Sequence, residues 1–255
     1  LPGDVEAVSI AVPTVAHAEV AEPCLRRGWA VLVEKPMAAT LAEAEALVAA
    51  GRRSGMPLLV GHTERFNPAV RAAAARTRQP QFIEAHRLGS FTARGTDVDV
   101  VLDLMIHDLD IILSLVPSEP ESIDAVGVQA LTDKPDIANA RIRFANGCVA
   151  NLTASRISTD RIRKLRIFEP RSYLSVDYAR QAAVAYVLRP GEGRPDIARE
   201  EVAIEAEEPL RVELRCFLRR VRGEETLQVS AEEGLRALRA AFEVVAQIGG
   251  GSGRP

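Results

Sequence analysis

Short apolar runs alternate with helical patterns over residues 7–60. The apolar runs lie at 7–12, 30–33 and 57–60, and segments with apolar residues at helical spacing separate them. This alternation is typical of parallel βαβ units, in which helices cover both faces of a buried sheet. The pattern therefore predicts a parallel α/β unit in the first part of the chain.

Two pairs of polar residues mark helix starts. Thr40 with Glu43, and Ser230 with Glu233, have the spacing of a capping box, in which each side chain bonds the backbone N–H of the other residue. Apolar residues at helical spacing follow both pairs. We expect a helix to begin at each place, and a further helix over 17–27.

After the last parallel run the pattern changes. Helical segments at 68–76 and 101–115 bracket a strand at 82–87, and β-rich runs then dominate as far as two amphipathic C-terminal helices. Between two of these runs, Asn146-Gly147 predicts a hairpin with a type I′ turn, which needs positive φ angles at both positions. This half therefore predicts an α+β unit with an open, mainly antiparallel sheet.

The two patterns predict a division of the chain. Residues 1–66 form the parallel unit, residues 67–248 form the α+β unit, and the glycine-rich stretch 249–255 is a disordered tail. Three strands are too few for a parallel sheet to stand alone. We therefore expect a fragment that lacks the N-terminal part of its first domain.

Composition and charge exclude several classes of partner. The chain is 47% hydrophobic and 26% charged with a net charge of −3, which is typical of a globular protein and gives no electrostatic basis for binding nucleic acid or an anionic membrane. No apolar run reaches the ~20 residues of a membrane-spanning helix. The cysteines, Cys24, Cys148 and Cys216, form no CxxC pair, so we expect reduced thiols and a cytoplasmic location.

The stretch Glu34-Lys35-Pro36 follows a predicted buried strand directly. In open parallel sheets, ligands bind beyond the carboxyl ends of the strands. Proline restricts the residue before it to extended conformations, so the Lys35 amine is aimed rather than mobile and can serve as a general acid or base. The alternative is a strand that simply ends in solvent.

Asp103 and His107 are four residues apart, so they share one face of the predicted helix. A carboxylate that orients an imidazole can support proton transfer near neutral pH. A surface ion pair is the alternative. We predict no metal site, because neither an HExxH motif nor a third clustered His or Cys accompanies the pair.

Other candidates are less specific. The stretch from Gly61 to Pro68 is either an interdomain linker or a substrate contact, and His17 either approaches a ligand or caps its helix. Arg87 and Arg94 flank a glycine-containing loop and could clamp a phosphate.

Taken together, four motifs resemble the glucose-fructose oxidoreductase / inositol dehydrogenase / MocA (Gfo/Idh/MocA) family of nicotinamide-dependent sugar oxidoreductases. They are Pro13-Thr14 with His17, Glu34-Lys35-Pro36, Arg65-Phe66-Asn67-Pro68 and Asp103-x3-His107. The resemblance implies the C-terminal half of a Rossmann domain followed by the α+β domain. The family's GxGxxG loop and acidic ribose-binding residue do not occur in this chain, and Asp99 stands where the family pattern has glycine.

The resemblance also implies roles for individual residues. Lys35 would contact the reacting hydroxyl and the nicotinamide ribose, His107 would be the general base, and Asp103 would orient the sugar or the imidazole. The residues expected to line the cofactor are Pro13, Thr14, His17, Glu34, Lys35 and Pro36. Those expected to face the substrate are Arg65, Asn67, Arg87 and Arg94.

Within the family, residues 82–87 and 97–108 are similar to the UDP-N-acetylglucosamine 3-dehydrogenase branch. This similarity implies NAD as cofactor, with NADP left open, and oxidation of the sugar 3-hydroxyl to a ketone. An aminotransferase would then convert the ketone to an amine for a lipid A precursor. An uncovered sheet face would suit a homodimer or homotetramer.

Three alternatives stay open at this point. The protein could oxidise an inositol, a free hexose or another nucleotide sugar; it could be a sugar sensor without catalysis; or it could be a glycosidase that uses NAD transiently. Lys35 and His107 together argue against the sensor, because binding alone does not need both. Without the phosphate-binding glycines, residues 1–255 by themselves are expected to bind NAD poorly and to show negligible activity.

Overall fold

The computed structural model describes residues 4–91, 98–189 and 196–251. The chain divides into two units, one of residues 1–66 with 207–240 and the other of residues 67–206 with 241–255. The break after residue 66 lies where the sequence pattern changes. Residues 207–240, which the sequence-based division assigned to the second domain, group instead with the first unit.

The first unit contains a parallel sheet of three strands in the order β1-β2-β3. The strands are β1 (Ala7–Ile10), β2 (Ala30–Glu34) and β3 (Leu58–Gly61). A 3₁₀ turn (Thr14–Ala16) leads into helix α1 (His17–Arg26), and α2 is Leu41–Ser54. The predicted parallel α/β pattern is confirmed, with strand ends that differ by one or two residues.

Local chemistry explains where α2 begins and ends. The Thr40 side chain accepts a hydrogen bond from the Glu43 N–H, and the Glu43 carboxylate accepts one from the Thr40 N–H, which is the predicted capping box. Gly55 ends the helix with φ +68°, a left-handed conformation that glycine adopts without steric cost.

Helix α5 (Pro209–Val221) and the first part of α6 (Ala231–Gly251) pack on the first sheet, which explains why residues 207–240 group with it. Phe217 packs against Leu32 and Leu59, while the Val60 N–H donates to the Val229 carbonyl at 3.0 Å. The sequence revealed both helices but not which sheet they cover. Helix α6 also continues beyond the predicted domain end at residue 248.

The second unit is built on a sheet of eight strands in the order β11-β10-β9-β8-β4-β7-β6-β5. Among the strands of the described ranges, β4 and β7 alone pair in parallel, and the other six neighbouring pairs are antiparallel. The strands are β4 (Phe82–Leu88), β5 (Pro120–Val128), β6 (Ile137–Phe144), β7 (Val149–Ser155), β8 (Ile162–Glu169), β9 (Ser172–Asp177), β10 (Ala182–Arg189) and β11 (Asp196–Glu201).

Helices cover one face of this sheet. They are α3 (Pro68–Arg76) and α4 (Ile106–Leu115), the latter preceded by a π-helical turn (Val101–Met105). Strand β6 shows the consequence, because Ala138, Ala140 and Ile142 are buried whereas Asn139 and Arg141 are exposed. None of the helices in the described ranges is both long and apolar enough to cross a membrane.

The predicted type I′ turn between β6 and β7 is wrong. Gly147 has φ +86°, and its N–H donates to the Phe144 carbonyl at 2.8 Å, but Asn146 is not among the described residues with positive φ. The loop is therefore a turn closed by a left-handed glycine, as in three-residue hairpin loops. The Asn146 side chain accepts the Cys148 N–H at 3.1 Å, which favours this geometry over the tighter turn.

One buried carboxylate organises the connection between β5 and β6. Asp136 accepts hydrogen bonds from the backbone N–H groups of Ala130, Leu131 and Thr132, and from the Thr132 hydroxyl. Burial by itself raises the pKa of Asp136, but these hydrogen bonds outweigh it and lower the pKa to about 2. The ionised carboxylate therefore stabilises the folded state.

We predict that Asp136→Asn lowers the free energy of unfolding by about 2 kcal/mol near pH 6, because the amide accepts fewer hydrogen bonds than the carboxylate. A folded-state pKa below the unfolded value adds stability that is complete above pH ~4 and is lost as the pH falls through about 2. Urea unfolding at several pH values should therefore show the difference from wild type shrinking on acidification.

Asp133→Asn is the matched control, because Asp133 lies in the same connection but is exposed. Its effect on unfolding should be small at every pH. A stability difference for Asp136→Asn that stays constant from pH 6 to pH 2 would contradict the assignment.

Candidate active site

The segments that follow β1 and β2 are joined by one imidazole. His17 is buried, with Nδ1 2.9 Å from the Pro36 carbonyl oxygen and Nε2 2.9 Å from the Val12 carbonyl oxygen. The tautomer decides which of these contacts carries the N–H. Because both nitrogens face backbone oxygens, His17 holds the two segments together instead of contacting a ligand. This corrects its place in the predicted cofactor-lining set.

Glu34 and Lys35 lie between two buried residues. Val33 and Pro36 are buried, whereas Glu34 and Lys35 are half-buried, and the Lys35–Pro36 peptide bond is cis. The backbone on both sides of the lysine is therefore anchored in the protein interior. The predicted restriction of the Lys35 side chain therefore has two sources, the burial of the flanking residues and the proline.

The carboxyl edge of the first sheet fits a dinucleotide. Thr14 opens the 3₁₀ turn after β1, and Glu34 extends from the end of β2 beside Gly61 of β3, where a Cβ would fill the space that the Glu34 carboxylate occupies. Open parallel sheets bind dinucleotides at this edge. Of the six residues predicted to line the cofactor, Pro13, Thr14, Glu34, Lys35 and Pro36 lie on the segments that leave it.

Asp103 and His107 lie at the start of the α4 region in the second unit. Asp103 is in the π-helical turn, a feature common at functional sites, and His107 is in the first turn of α4. Both side chains are half-buried, while Met105 and Ile106 between them are fully buried. The predicted helix is therefore present, but its first turn is wider than an α-helical turn.

Asp99 begins this helical region. Its carboxylate accepts the Val101 N–H at 2.7 Å, and its backbone carbonyl accepts the Asp103 N–H at 2.9 Å. Burial raises the pKa of Asp99, although the hydrogen bond from Val101 and the charge of Arg156 oppose the rise. An acidic side chain thus binds the first N–H of the π-helical turn, at the position where the family pattern has glycine.

Arg156 fixes the segment that enters this region. Its guanidinium donates to the carbonyls of Val98 at 2.7 Å and Pro135 at 3.0 Å, and Nε lies 3.6 Å from Oδ1 of Asp136. The backbone just before Asp99 is therefore tied to the connection between β5 and β6. The sequence did not single out Arg156 or Asp136, because the residues they bind are distant along the chain.

Arg87 is not placed to contact a substrate. It is buried on β4, where Nε and a terminal nitrogen donate to the two oxygens of Asp108 at 2.9 and 3.1 Å. Its guanidinium also lies over the Tyr178 ring, 5.5 Å from the centroid. Since Asp108 follows His107 directly, this pair fixes the orientation of α4. The predicted phosphate clamp is corrected to a buried ion pair, and Arg94 lies outside the described residues.

The sequence contained a signal for this pair. Asp108 and Asp110 interrupt a strongly apolar helical pattern, and a carboxylate at such a position needs a buried cation or hydrogen-bond donors. The pattern indicated a buried partner, but only the fold identifies Arg87.

The remaining predicted substrate residues also make contacts within the protein. Arg65 forms an ion pair with Glu233, the capping residue of α6. The Asn67 side chain accepts the Ala69 N–H at the start of α3 and donates to the Tyr178 carbonyl. Each residue therefore binds elements of its own unit, Arg65 the start of α6 and Asn67 the start of α3.

The sequence predicted reduced cysteines and no metal site, and both can be examined in the described ranges. Cys24, Cys148 and Cys216 are free and buried, and burial raises the pKa of Cys148 to about 11. No group of three or more His, Cys, Asp or Glu side chains among those residues is arranged to hold a metal ion.

We predict that Arg87→Lys lowers the free energy of unfolding by about 2–4 kcal/mol, because one ammonium cannot satisfy both oxygens of buried Asp108. Arg166→Lys is the matched control. Arg166 pairs with Glu84 on the same sheet at 3.4 Å but is half exposed, so its replacement should cost less than about 1 kcal/mol. Equal losses in urea denaturation would contradict the importance of the buried pair.

Comparisons with known proteins agree with the fold and the motifs. A family model described as "Oxidoreductase family, NAD-binding Rossmann fold" matches residues 1–62, and one described as "GFO/IDH/MocA C-terminal domain" matches residues 69–169. The UDP-N-acetylglucosamine 3-dehydrogenase of Acidithiobacillus ferrooxidans is 38% identical over 96% of this chain and 79% of its own length. A solved structure of that enzyme has a TM-score of 0.89 at 37% identity, with the same coverage.

A more distant relative gives a useful contrast. The inositol 2-dehydrogenase of Rhizobium meliloti is 25% identical over 96% of this chain and 79% of its own length. The matches confirm the predicted fold class, the oxidoreductase class and the NAD-binding domain. The chain belongs to the Gfo/Idh/MocA family of NAD-binding oxidoreductases.

Proposed function

We propose that this protein is an NAD-dependent sugar dehydrogenase that oxidises the 3-hydroxyl of UDP-N-acetylglucosamine to a ketone. The observation that carries the choice of substrate is the 38% identity with the 3-dehydrogenase, which extends over 96% of the chain and therefore over both units. The inositol 2-dehydrogenase also aligns with 96% of this chain, but with only 25% identity. Similarity through the second unit supports a shared substrate, since the first unit serves the cofactor throughout the family.

Lys35 is the proposed residue at the reacting hydroxyl. When bound, NAD accepts the hydride from the sugar carbon. The hydroxyl proton must leave as well, and an ammonium beside the oxygen stabilises the negative charge that develops there. Lys35 is suited to this role because its backbone is anchored between buried Val33 and buried Pro36.

His107 is the proposed general base, and Asp103 orients its ring or the sugar. Both are half-buried residues in and after the π-helical turn, so they combine a defined position with access to a ligand. The buried ion pair of Arg87 with Asp108 fixes the helix that carries His107 and so helps to hold the imidazole in place.

Pro13, Thr14, Glu34, Lys35 and Pro36 are the residues proposed to hold the nicotinamide half of the cofactor. NAD is favoured over NADP by the description of the matched domain as NAD-binding. His17 does not line the cofactor in this proposal. It contacts the Val12 and Pro36 carbonyls and so stabilises the two segments that carry these residues.

The proposed product is a ketone on a nucleotide sugar. A ketone at this position is a substrate for transamination, so an aminotransferase is the proposed partner in the pathway. The two proteins need not bind each other for this relation to hold.

The second unit also supports self-association. An aromatic row crosses the less covered face of the eight-stranded sheet, where Tyr186, Tyr173, Phe168 and Phe82 have successive centroid distances of 4.8, 5.1 and 5.8 Å. The four residues are only half-buried, and exposed Val126 and Val128 lie on β5 at one edge of the sheet. We propose that a second copy of the chain covers this face.

For the reaction, we predict that the natural protein containing this sequence reduces NAD when given UDP-N-acetylglucosamine. Borodeuteride reduction of the product should place deuterium at C3 by mass spectrometry. Lys35→Ala should lower kcat by at least about 100-fold and weaken NADH binding far less, because the ammonium acts mainly on the developing oxyanion and contributes one contact among several to the cofactor. Lys134→Ala, at an exposed position, is the matched control.

Two results would contradict this proposal in different ways. Turnover of an inositol or a free hexose without turnover of UDP-N-acetylglucosamine would refute the substrate. Equal loss of turnover and NADH affinity in Lys35→Ala would make Lys35 a cofactor anchor instead of a catalytic residue.

For self-association, we predict that Tyr173→Glu converts the natural protein to a monomer in sedimentation experiments, because a buried unpaired carboxylate opposes sheet-to-sheet packing. Leu227→Glu is the matched control, since Leu227 is an exposed apolar residue in the first unit. It should leave the mass unchanged. A monomeric wild type, or an oligomer that survives Tyr173→Glu, would contradict the proposed interface.

A further inference from the structure

Gly61 ends β3 directly opposite Glu34, the last residue of β2. A Cβ built on Gly61 would lie 3.0 Å from Oε2 of Glu34, 3.1 Å from its Cδ and 3.3 Å from its Cα. The first two distances join that Cβ to the carboxylate group itself. The Glu34 side chain therefore lies across the space that a larger residue at position 61 would occupy.

The backbone conformation does not require glycine at this position. Gly28, Gly55, Gly147 and Gly223 have φ between 68° and 86°, but Gly61 is not in the left-handed region. A glycine inside a strand lowers its stability and commonly marks the close approach of another group. Here the close group is the Glu34 carboxylate, so Gly61 is needed for space and not for conformation.

Contacts within the protein leave the Glu34 carboxylate available to a ligand. Over the described ranges it takes part in no hydrogen bond or ion pair, although it is half-buried at the carboxyl edge of the sheet. Its position is therefore set by packing on Gly61. A half-buried carboxylate placed in this way is suited to accept hydrogen bonds from a ligand.

We propose that Gly61 is a positioning residue, which leaves the space that directs the Glu34 carboxylate towards hydrogen-bond donors of the bound nicotinamide cofactor. The inference rests on the proposed function only in placing the cofactor at this edge, and it does not depend on which sugar is oxidised. A methyl group at position 61 displaces the flexible carboxylate first. It presses less strongly on the Glu34 backbone, where the contact is longer.

The test is a double-mutant cycle on NADH affinity, measured by fluorescence titration of the natural protein without any sugar. Gly61→Ala and Glu34→Ala should each weaken NADH binding by about tenfold, which corresponds to the loss of one hydrogen bond to a charged group. The double variant should bind NADH no more weakly than Glu34→Ala alone. Once the carboxylate is gone, the methyl group has nothing left to displace.

Gly51→Ala is the matched control. A Cβ there would lie 3.2 Å from the Leu58 Cβ at the opposite end of the same strand, so it disturbs the packing of β3 without touching Glu34. NADH affinity should stay within twofold of wild type. A tenfold loss in Gly51→Ala would show that general disturbance of the strand causes the effect and would overturn the proposal.

Two further outcomes would overturn it. Unchanged NADH affinity in Gly61→Ala would show that the carboxylate does not depend on this space. A double variant that binds NADH more weakly than Glu34→Ala would show that Gly61 does not act through Glu34, and this comparison does not need the Gly61→Ala single variant. A failure to turn over UDP-N-acetylglucosamine would refute the proposed substrate. It would not affect the NADH titration, because that experiment contains no sugar.

Discussion

The burial of β2 is the constraint on which the candidate site depends. Residues 30–33 are almost inaccessible to solvent, so the chain can place charged groups only where the strand leaves the sheet. Glu34 and Lys35 are the first residues at which this is possible. Next to Lys35, the Pro36 carbonyl contacts the buried His17 ring. On the neighbouring strand, Gly61 leaves the space in which the Glu34 carboxylate lies. The edge is therefore shaped by contacts beneath it.

The second unit uses charge differently. Its buried charged groups join segments that are distant in sequence: Arg87 bonds Asp108, and Arg156 binds the backbone near Asp99 and the carboxylate of Asp136. Each charge is compensated by a bidentate contact or by several hydrogen bonds, as a buried charge requires. These contacts orient the helix that carries His107 and the turn that carries Asp103.

Much of the fold was predictable because local chemistry decides it. The capping boxes at Thr40 and Ser230, and the alternation of apolar runs, depend on residues close in sequence. The roles of the arginines were not predictable in the same way. Arg65 and Arg87 were expected to face a substrate, but each finds a carboxylate on a distant element, Glu233 and Asp108 respectively. An isolated arginine in the sequence looks the same whether it binds a ligand or a buried acid.

The sequence by itself indicated the order of parallel and antiparallel elements, which follows from spacing along the chain. It also contained the motifs with Lys35, Asp103 and His107, through which it resembles the family. Only the tertiary structure decided that His17 supports the site instead of lining it, that α5 and the start of α6 pack on the first sheet, and that Gly61 faces Glu34. The physical reason is that these facts depend on which distant backbone and side-chain atoms share a small space, and local spacing does not encode that.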